Sequence, residues 1–454
     1  AVLHHDVGLV TPGAVAAKVT PILDGWLLFM THTSVSLVLF FGTALLPLNQ
    51  VWATEADALS HVDEVVKSVR GVSGLAVKTP LDTRLITREA LRDMVVNDAE
   101  ERAREPDWPA TKEALIIMGS WPDGYDGPNP FVDVTVLNAA GIYSQRRRAL
   151  FVVYDPLRPL AQGPVRLGVT SRELQDELTL AHEIVHALQH MHYPHLFDLD
   201  NPTWRHQDDA AFALRAAIEG EAVIVSLQSR LGYRGTLLSP DEFQERVLRQ
   251  ARSPGFDPLE RVPLLLREGQ VYPYAYGYRL SWREGRKLLR SPPVSSEQVL
   301  HRKRRRERFL AIDLSRYGER LSQRGCELVY ENTMGELSLS LLLRSYQALI
   351  DAEAWEGWDG DRYVTAKCDG QREFAWLTSW DSADDAVEFE RAYRKIAPWH
   401  RARAALRQDP VTERHDKQVW VLSAGFANEK SSIESAARTQ RLRTRAELAE
   451  FLKK

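Results

Sequence analysis

His182, Glu183 and His186 form a His-Glu-x-x-His motif, and these residue types at this spacing suit metal-assisted hydrolysis. On a helix, positions i and i+4 project from one face about one turn apart, so two imidazoles there can grip a single ion at about 2.1 Å each. Glu183 stands beside the first ligand, placed to take the proton of an attacking water and hand it to a leaving amine. Zinc in such a site needs a third protein ligand and keeps its fourth position for solvent. Two nearby histidines do not supply it. His190 is eight residues from His182, about 12 Å along a helix axis, and reads as a surface histidine. His192 holds the last place of the longer pattern HExxHxxGxxH, but Gln189 stands where that pattern breaks the helix with Gly, so His192 points away down the axis.

The third ligand is expected in Ile218-Glu219-Gly220-Glu221-Ala222. Residues two apart on a helix lie about 200° apart, so only one of Glu219 and Glu221 can face the ion. Glu221 shares its side with Ala217, Ile218, Ile224 and Val225, the more apolar side, whereas Glu219 lies with Arg215, Ala216, Ala222 and Val223. Periodicity favours Glu221 and leaves the choice open.

The elements that must carry these residues are legible in outline. Thr170, with Glu173 completing a capping box, opens a long helix that Pro194 ends. A second helix runs from Asp208 or Asp209 to Gly232, and Ser239-Pro240-Asp241-Glu242 caps a third. Upstream, a helix is expected near Leu59 to Ser68, a strand near Asp82 to Ile86, a helix from Arg88 to about Ala103, and a loop from Gly119 to Pro130. The apolar runs Val132 to Ile142 and Ala149 to Tyr154, split by Ser144-Gln145-Arg146-Arg147-Arg148, read as a hairpin. Downstream, the basic run 301–308 (HRKRRRER) is expected to be a solvated helix face, and Leu337 to Tyr346 is helical. From Trp358 a small α+β pattern follows: strand Arg362 to Cys368, turn Asp369-Gly370, strand Glu373 to Trp380, helix Asp384 to Lys395 and strand Gln418 to Leu422. Trp358-Asp359-Gly360-Asp361 reads as a turn rather than a calcium loop. The end, Asn428 to Lys454, is polar, helical or loosely ordered. The predicted class is α+β, with residues 54–350 as a catalytic region with a helical extension, 355–425 as a small module and 426–454 as a polar tail.

The 454 residues carry 58 basic against 62 acidic side chains, a net charge of −4, and are 44% apolar. This balance excludes collagen-like, low-complexity and polytopic membrane classes and provides no field to draw nucleic acid. Residues 1–53 are different, with only Asp6, Lys18 and Asp24 charged. Within them Ser34 to Leu48 is an uncharged run, shorter than the about 20 residues a membrane span needs. Val51-Trp52-Ala53 follows as a small-residue cleavage pattern, so a secretory signal cut after Ala53 is expected. Residue 1 is not Met, and the first Met is Met30. An exported chain, secreted or held in the periplasm or cell envelope, is therefore expected, with no integral membrane domain beyond an N-terminal anchor should the segment stay uncut. In that compartment Cys326 and Cys368 would form one bridge or remain two buried thiols.

HExxH followed on a later helix by Glu before Gly resembles the gluzincin zinc peptidases, whose aminopeptidase branch has an Asn-Glu-Gly-aromatic-Ala motif with a zinc-binding Glu. That resemblance implies a zincin-like fold and places the third ligand at Glu219, although the 32 residues between His186 and Glu219 exceed the usual gluzincin spacing. Most of the chain also resembles a group of exported, largely uncharacterised HExxH proteins of bacteria and archaea. The shared stretches are Gly141-Ile142-Tyr143, His186-Ala187-Leu188-Gln189, Glu219 to Ala222, Pro273 to Gly277, Pro292 to His301, Gly357 to Tyr363, Trp380-Asp381 and Asp385-Ala386. Ser281 to Ser291 departs from the group, being short and basic. The resemblance implies that Ala149 to Tyr154 or Ala140 to Tyr143 is a substrate-binding edge, and that Tyr274, Tyr276 or His301 faces the oxyanion, each having packing as its alternative. The expected function is an exported zinc peptidase acting on peptide or protein substrates, with His182, His186 and Glu219 on the metal and Glu183 as base. The alternative is a non-catalytic envelope protein that keeps the same fold for binding or structure.

Overall fold

The computed structural model describes residues 55–104, 107–123, 139–154, 172–198, 201–232, 237–251, 263–346 and 353–453. The expected signal segment 1–53, the cap at Thr170, most of the 119–130 loop and most of the 132–142 run lie outside the described residues.

Helix α1 (Glu55–Ser73), strand β1 (Asp82–Ile86), helix α2 (Arg88–Ala103) and helix α3 (Asp107–Ile117) come first. The hairpin forms as expected from β2 (Gly141–Ser144) and β3 (Ala149–Val153), which pair antiparallel. Parallel β1 completes a three-stranded sheet in the order β1-β3-β2. Against it lies α4 (Arg172–His192), which carries the HExxH motif. Leu180, Ile184 and Leu188 recur on one stripe of α4 and pack on Val62, Val65 and Val69 of α1 and on Leu150 and Val152 of β3. Each such buried aliphatic side chain contributes about 1.5–3 kcal/mol, and together these contacts hold the motif-bearing helix on the sheet and on α1.

Helices α5 (Asp208–Leu231), α6 (Pro240–Ala251), α7 (Leu264–Gly269), α8 (Tyr272–Glu284) and α9 (Ser296–Leu300) follow. The box at the start of α6 forms as read: Glu242 N donates to Ser239 Oγ at 3.4 Å, and Ser239 N to Glu242 Oε2 at 3.1 Å. The basic run 301–308 is not a helix face. His301 ends α9 in an extended conformation, and only a single 3₁₀ turn, Arg304–Arg306, follows. Arg302, Lys303, Arg306 and Arg308 are exposed as expected, but two of the run's charges are used internally. Arg304 pairs with Glu297 at 2.8 Å and with Asp381, and Arg305 pairs with Glu284 at 3.0 Å.

The remaining elements are β4 (Phe309–Asp313), α10 (Ser315–Gln323), β5 (Glu327–Asn332), α11 (Gly335–Arg344), β6 (Trp358–Cys368), β7 (Gln371–Trp380), α12 (Ala383–Ala404), β8 (Val411–His415), β9 (Gln418–Leu422), α13 (Lys430–Ala436), β10 (Arg438–Leu442) and α14 (Arg445–Leu452). An antiparallel sheet runs β5-β6-β7-β9-β8, and Phe389 and Tyr393 of α12 pack on Trp376 and Trp380 of β7. The chain is thus α+β. Trp358-Asp359-Gly360-Asp361 is the start of β6 rather than a turn. Asp361 is buried there and accepts hydrogen bonds from Met334 N, Gly335 N and the indoles of Trp358 and Trp376, at 2.8 to 3.0 Å.

Strand pairing crosses both of the expected limits at 355 and 426: β5, before residue 355, pairs with β6, and within 426–454 β10 pairs with β4 while Thr444 and Glu447 form a capping box on α14. Both β5 and β10 are polar edge strands, and only Leu442 of β10 is buried, so hydropathy alone gives them little signal. Cys326 and Cys368 are bridged, joining the start of β5 to the end of β6 across 42 residues. Closing a loop of that length should be worth about 2–4 kcal/mol. The Cys326→Ser/Cys368→Ser chain should therefore unfold at lower urea by that amount, and an unchanged midpoint would show the bridge to be dispensable. Among the described residues no helix is long and apolar enough to cross a membrane.

Candidate metal centre

Helices α4 and α5 bring His182, His186 and Glu219 together, all three buried. His182 Nε2 and His186 Nε2 lie 3.0 Å apart, and Glu219 Oε2 lies 3.1 Å from the first and 3.3 Å from the second. Tetrahedral ligands at about 2.0–2.1 Å from a zinc ion are roughly 3.3 Å from one another, so these edges fit such an ion. The electrostatics suit a cation as well. Burial opposes the charged form of Glu219, but the two imidazoles beside it hold its carboxyl far below the usual range. Burial, then the neighbouring His186, lowers His182. For His186 burial acts downward, yet the Glu219 carboxylate outweighs it and raises the group to about 9.

Glu221, the choice periodicity favoured, turns elsewhere. Its Oε2 accepts from Gln189 Nε2 at 2.8 Å, and the same amide donates to Ile218 O at 3.1 Å. Gln189 must therefore present its carbonyl to His186 Nδ1, 2.9 Å away. Once the ring has lost its second proton, that bond keeps the remaining one on Nδ1 and leaves Nε2 of His186 as the lone pair facing the centre. The sequence reading placed Gln189 where a glycine would break the helix and within the shared His186-Ala187-Leu188-Gln189 stretch, without a role; the signal that could have given it one is its i+3 spacing from His186. Replacing it by Leu should weaken zinc binding by about 10–100-fold, read by competition with a chelating dye. An unaltered affinity would remove Gln189 from this role.

Glu183 lies fully buried on the same turn, and Tyr143 N of β2 donates to its Oε2 at 2.8 Å. Of the two candidate edges, β3 is hydrogen-bonded on both sides, while β2 is the outer strand among the described residues. His190 is buried rather than on the surface. Its ring stacks on Phe197 and its Nδ1 lies 2.9 Å from the Tyr143 hydroxyl. Burial raises that phenol to about 12 and lowers His190, so a neutral phenol meets a neutral imidazole. His192 is remote, as expected, with Nε2 at 2.8 Å from Ala76 O.

Among the three proposed oxyanion partners, Tyr274 stacks on His182, with centroids 6.0 Å apart. Tyr276 stacks on Tyr272 and lies under Arg279, and His301 bonds Glu336 at 2.6 Å. Tyr274 reaches its place because α8 crosses α5 glycine to glycine: a Cβ on Gly220 would lie 2.0 Å from Gly277 O.

Residues 323–446, from the end of α10 through β10, match a family described as a domain of unknown function (DUF8575). No curated protein and no solved structure matches the chain.

Proposed function

We propose that the chain is an exported zinc-dependent peptidase with a zincin-like catalytic region and gluzincin-type ligands, His182, His186 and Glu219. The observation that carries this reading is the convergence of those three side chains at tetrahedral spacing with Glu183 beside them. Zn²⁺ held there supplies a Lewis acid that polarises a carbonyl and makes water more acidic. Glu183 takes one proton from the attacking water, and the same proton goes to the nitrogen of the leaving amine as the peptide C–N bond breaks. Tyr143 N fixes the direction of that carboxylate through Oε2. Strand β2, beside α4, is the edge along which an extended peptide would pair. The Cys326–Cys368 bridge supports export, since such bridges persist in oxidising compartments.

Metal analysis and casein hydrolysis of the full chain test this. About one zinc per chain and hydrolysis that a chelator stops and zinc restores are expected; a chain that takes up no zinc at pH 8 rejects it. The pH dependence has a defined sign. A zinc ligand must be a neutral imidazole, while His186 keeps its proton in the metal-free fold up to about 9. Zinc therefore displaces one proton below that value, and apparent affinity should rise about tenfold per pH unit from 7 towards 9, then flatten. In the metal-free protein the same raised group stabilises the fold fully below its ordinary 6.5, and that contribution is lost as pH climbs through about 9. A zinc affinity flat between pH 7 and 9 would contradict the protonated His186.

A further inference from the structure

Two basic runs that are separate in the sequence meet on the surface. Gly285–Arg290 is a 3₁₀ helix in which Leu288 and Leu289 are buried, while Arg286, Lys287 and Arg290 are exposed. In the run 301–308, beyond α9, Arg304 and Arg305 turn inward to their carboxylates and leave Arg302, Lys303, Arg306 and Arg308 outside. Hydrogen bonds join the runs. Arg283 Nη1 donates to Arg302 O at 3.2 Å, and Arg305 Nη2 donates to Ser291 O at 2.6 Å. The end of β10 is drawn in as well: Gln298 Nε2 donates to Glu307 O at 3.1 Å and to Arg443 O at 3.2 Å, which sets exposed Arg443 beside the second run.

Surfaces ordinarily intersperse charges of both signs, and this one does not. None of these exposed cations of the two runs forms an ion pair among the described residues, and Glu307 is the one exposed carboxylate within the runs. A chain of net charge −4 thus gathers a field of the opposite sign in one place.

The chemistry of the surroundings narrows the partner. Leu288 and Leu289 are the only apolar residues of the two runs, and both are fully buried. Single-stranded nucleic acid is held by bases stacked on exposed aromatic rings, and protein partners are anchored by an apolar or aromatic centre; neither is offered here. Recognition by charge density alone suits a plane of anionic headgroups, and export would bring the chain beside such a plane. We propose that residues 283–308, with Arg443, form a peripheral docking surface for an anionic lipid bilayer, held by headgroup phosphates without insertion. Docking of this kind needs export but no peptidase chemistry.

Co-sedimentation of the full chain with vesicles tests it. Vesicles about one third phosphatidylglycerol in phosphatidylcholine should bind the chain at low salt, and pure phosphatidylcholine should not. Binding should disappear as salt shortens the screening length from about 10 Å at 0.1 M to about 3 Å at 1 M. Each cation near the bilayer is worth about fivefold, or about 1 kcal/mol. Lys287→Gln/Arg290→Gln and Arg302→Gln/Lys303→Gln should therefore each weaken binding about 25-fold with no loss of stability. Arg391→Gln/Arg407→Gln removes the same charge at exposed positions on and after α12 and should bind as the wild type does. No binding to the mixed vesicles at low salt, equal binding to the neutral ones, or binding that survives both substitutions in the runs would overturn the proposal. So would tighter binding to a DNA duplex or to polyglutamate at equal charge concentration, since another polyanion would then be the partner. A chain that binds the mixed vesicles but cleaves no peptide keeps the docking surface and discards the peptidase.

Discussion

Gly277→Ala and Gly220→Ala chains are expected to lose both stability and zinc. In an exposed helix such a change stabilises by up to about 1 kcal/mol, because alanine has less backbone freedom to lose. Here the sign reverses. A Cβ on Gly277 would stand 2.1 Å from Ala216 O and 3.0 Å from Gly220 Cα, and one on Gly220 would stand 2.0 Å from Gly277 O. These obstacles are main chain on both sides, so no rotamer can move aside, and one helix must shift by about an ångström. The cost should reach about 3 kcal/mol or more, the upper end for overpacked cores. Glu219 is the neighbour of Gly220, and Tyr274 is one turn from Gly277, so the same shift opens the ligand set. Gly71→Ala is the control: a Cβ there on α1 meets nothing within 4 Å, and that chain should be unchanged or slightly more stable. Urea midpoints and zinc content read both effects. A Gly277→Ala chain with wild-type stability and full zinc would show that the two helices do not cross this closely.

The contrast between Glu219 and Glu221 shows where sequence reading reaches its limit. The HExxH helix was legible because a strong apolar stripe, a polar start and Pro194 all agree on it. Amphipathic periodicity could not select the third ligand because α5 has no solvent face in its middle: every residue from Ala216 to Leu227 is buried. Burial on all sides erases the signal that the argument needed, and only the Glu-Gly resemblance pointed to Glu219. His190 failed for a different reason. Its distance from His182 was read correctly, but Phe197, beyond Pro194, folds back over the ring, a tertiary event that spacing does not encode. Arg304 of the basic run 301–308 and the strand β10 belong with it. Arg304 finds Glu297 and Asp381, and β10 finds β4, across separations of 7 to more than 100 residues, so charge and edge polarity alone read as solvent. The strongly patterned strands, β1 and β9, were placed to the residue.

Glu183→Gln should leave the structure and the zinc in place and remove turnover. The isosteric amide keeps an oxygen to accept from Tyr143 N, now at 2.8 Å from Glu183 Oε2, and His182, His186 and Glu219 are untouched. What the amide cannot do is carry the proton from water to the leaving nitrogen. General acid–base catalysis of this kind is worth about 10²–10⁴ in rate, or about 3–5 kcal/mol of barrier, so kcat should fall by that factor with KM and unfolding midpoint nearly constant. Glu183→Ala separates the two roles of the residue. It leaves the buried Tyr143 N–H without its acceptor, which costs about 1–3 kcal/mol, so the alanine chain should lose stability as well as turnover. If the glutamine chain instead turns over at the wild-type rate, Glu183 serves only to hold β2 against α4. If the wild type binds zinc yet cleaves nothing, the same geometry belongs to a binding protein, and hydroxamate affinity, unlike turnover, should be indifferent to the glutamine substitution.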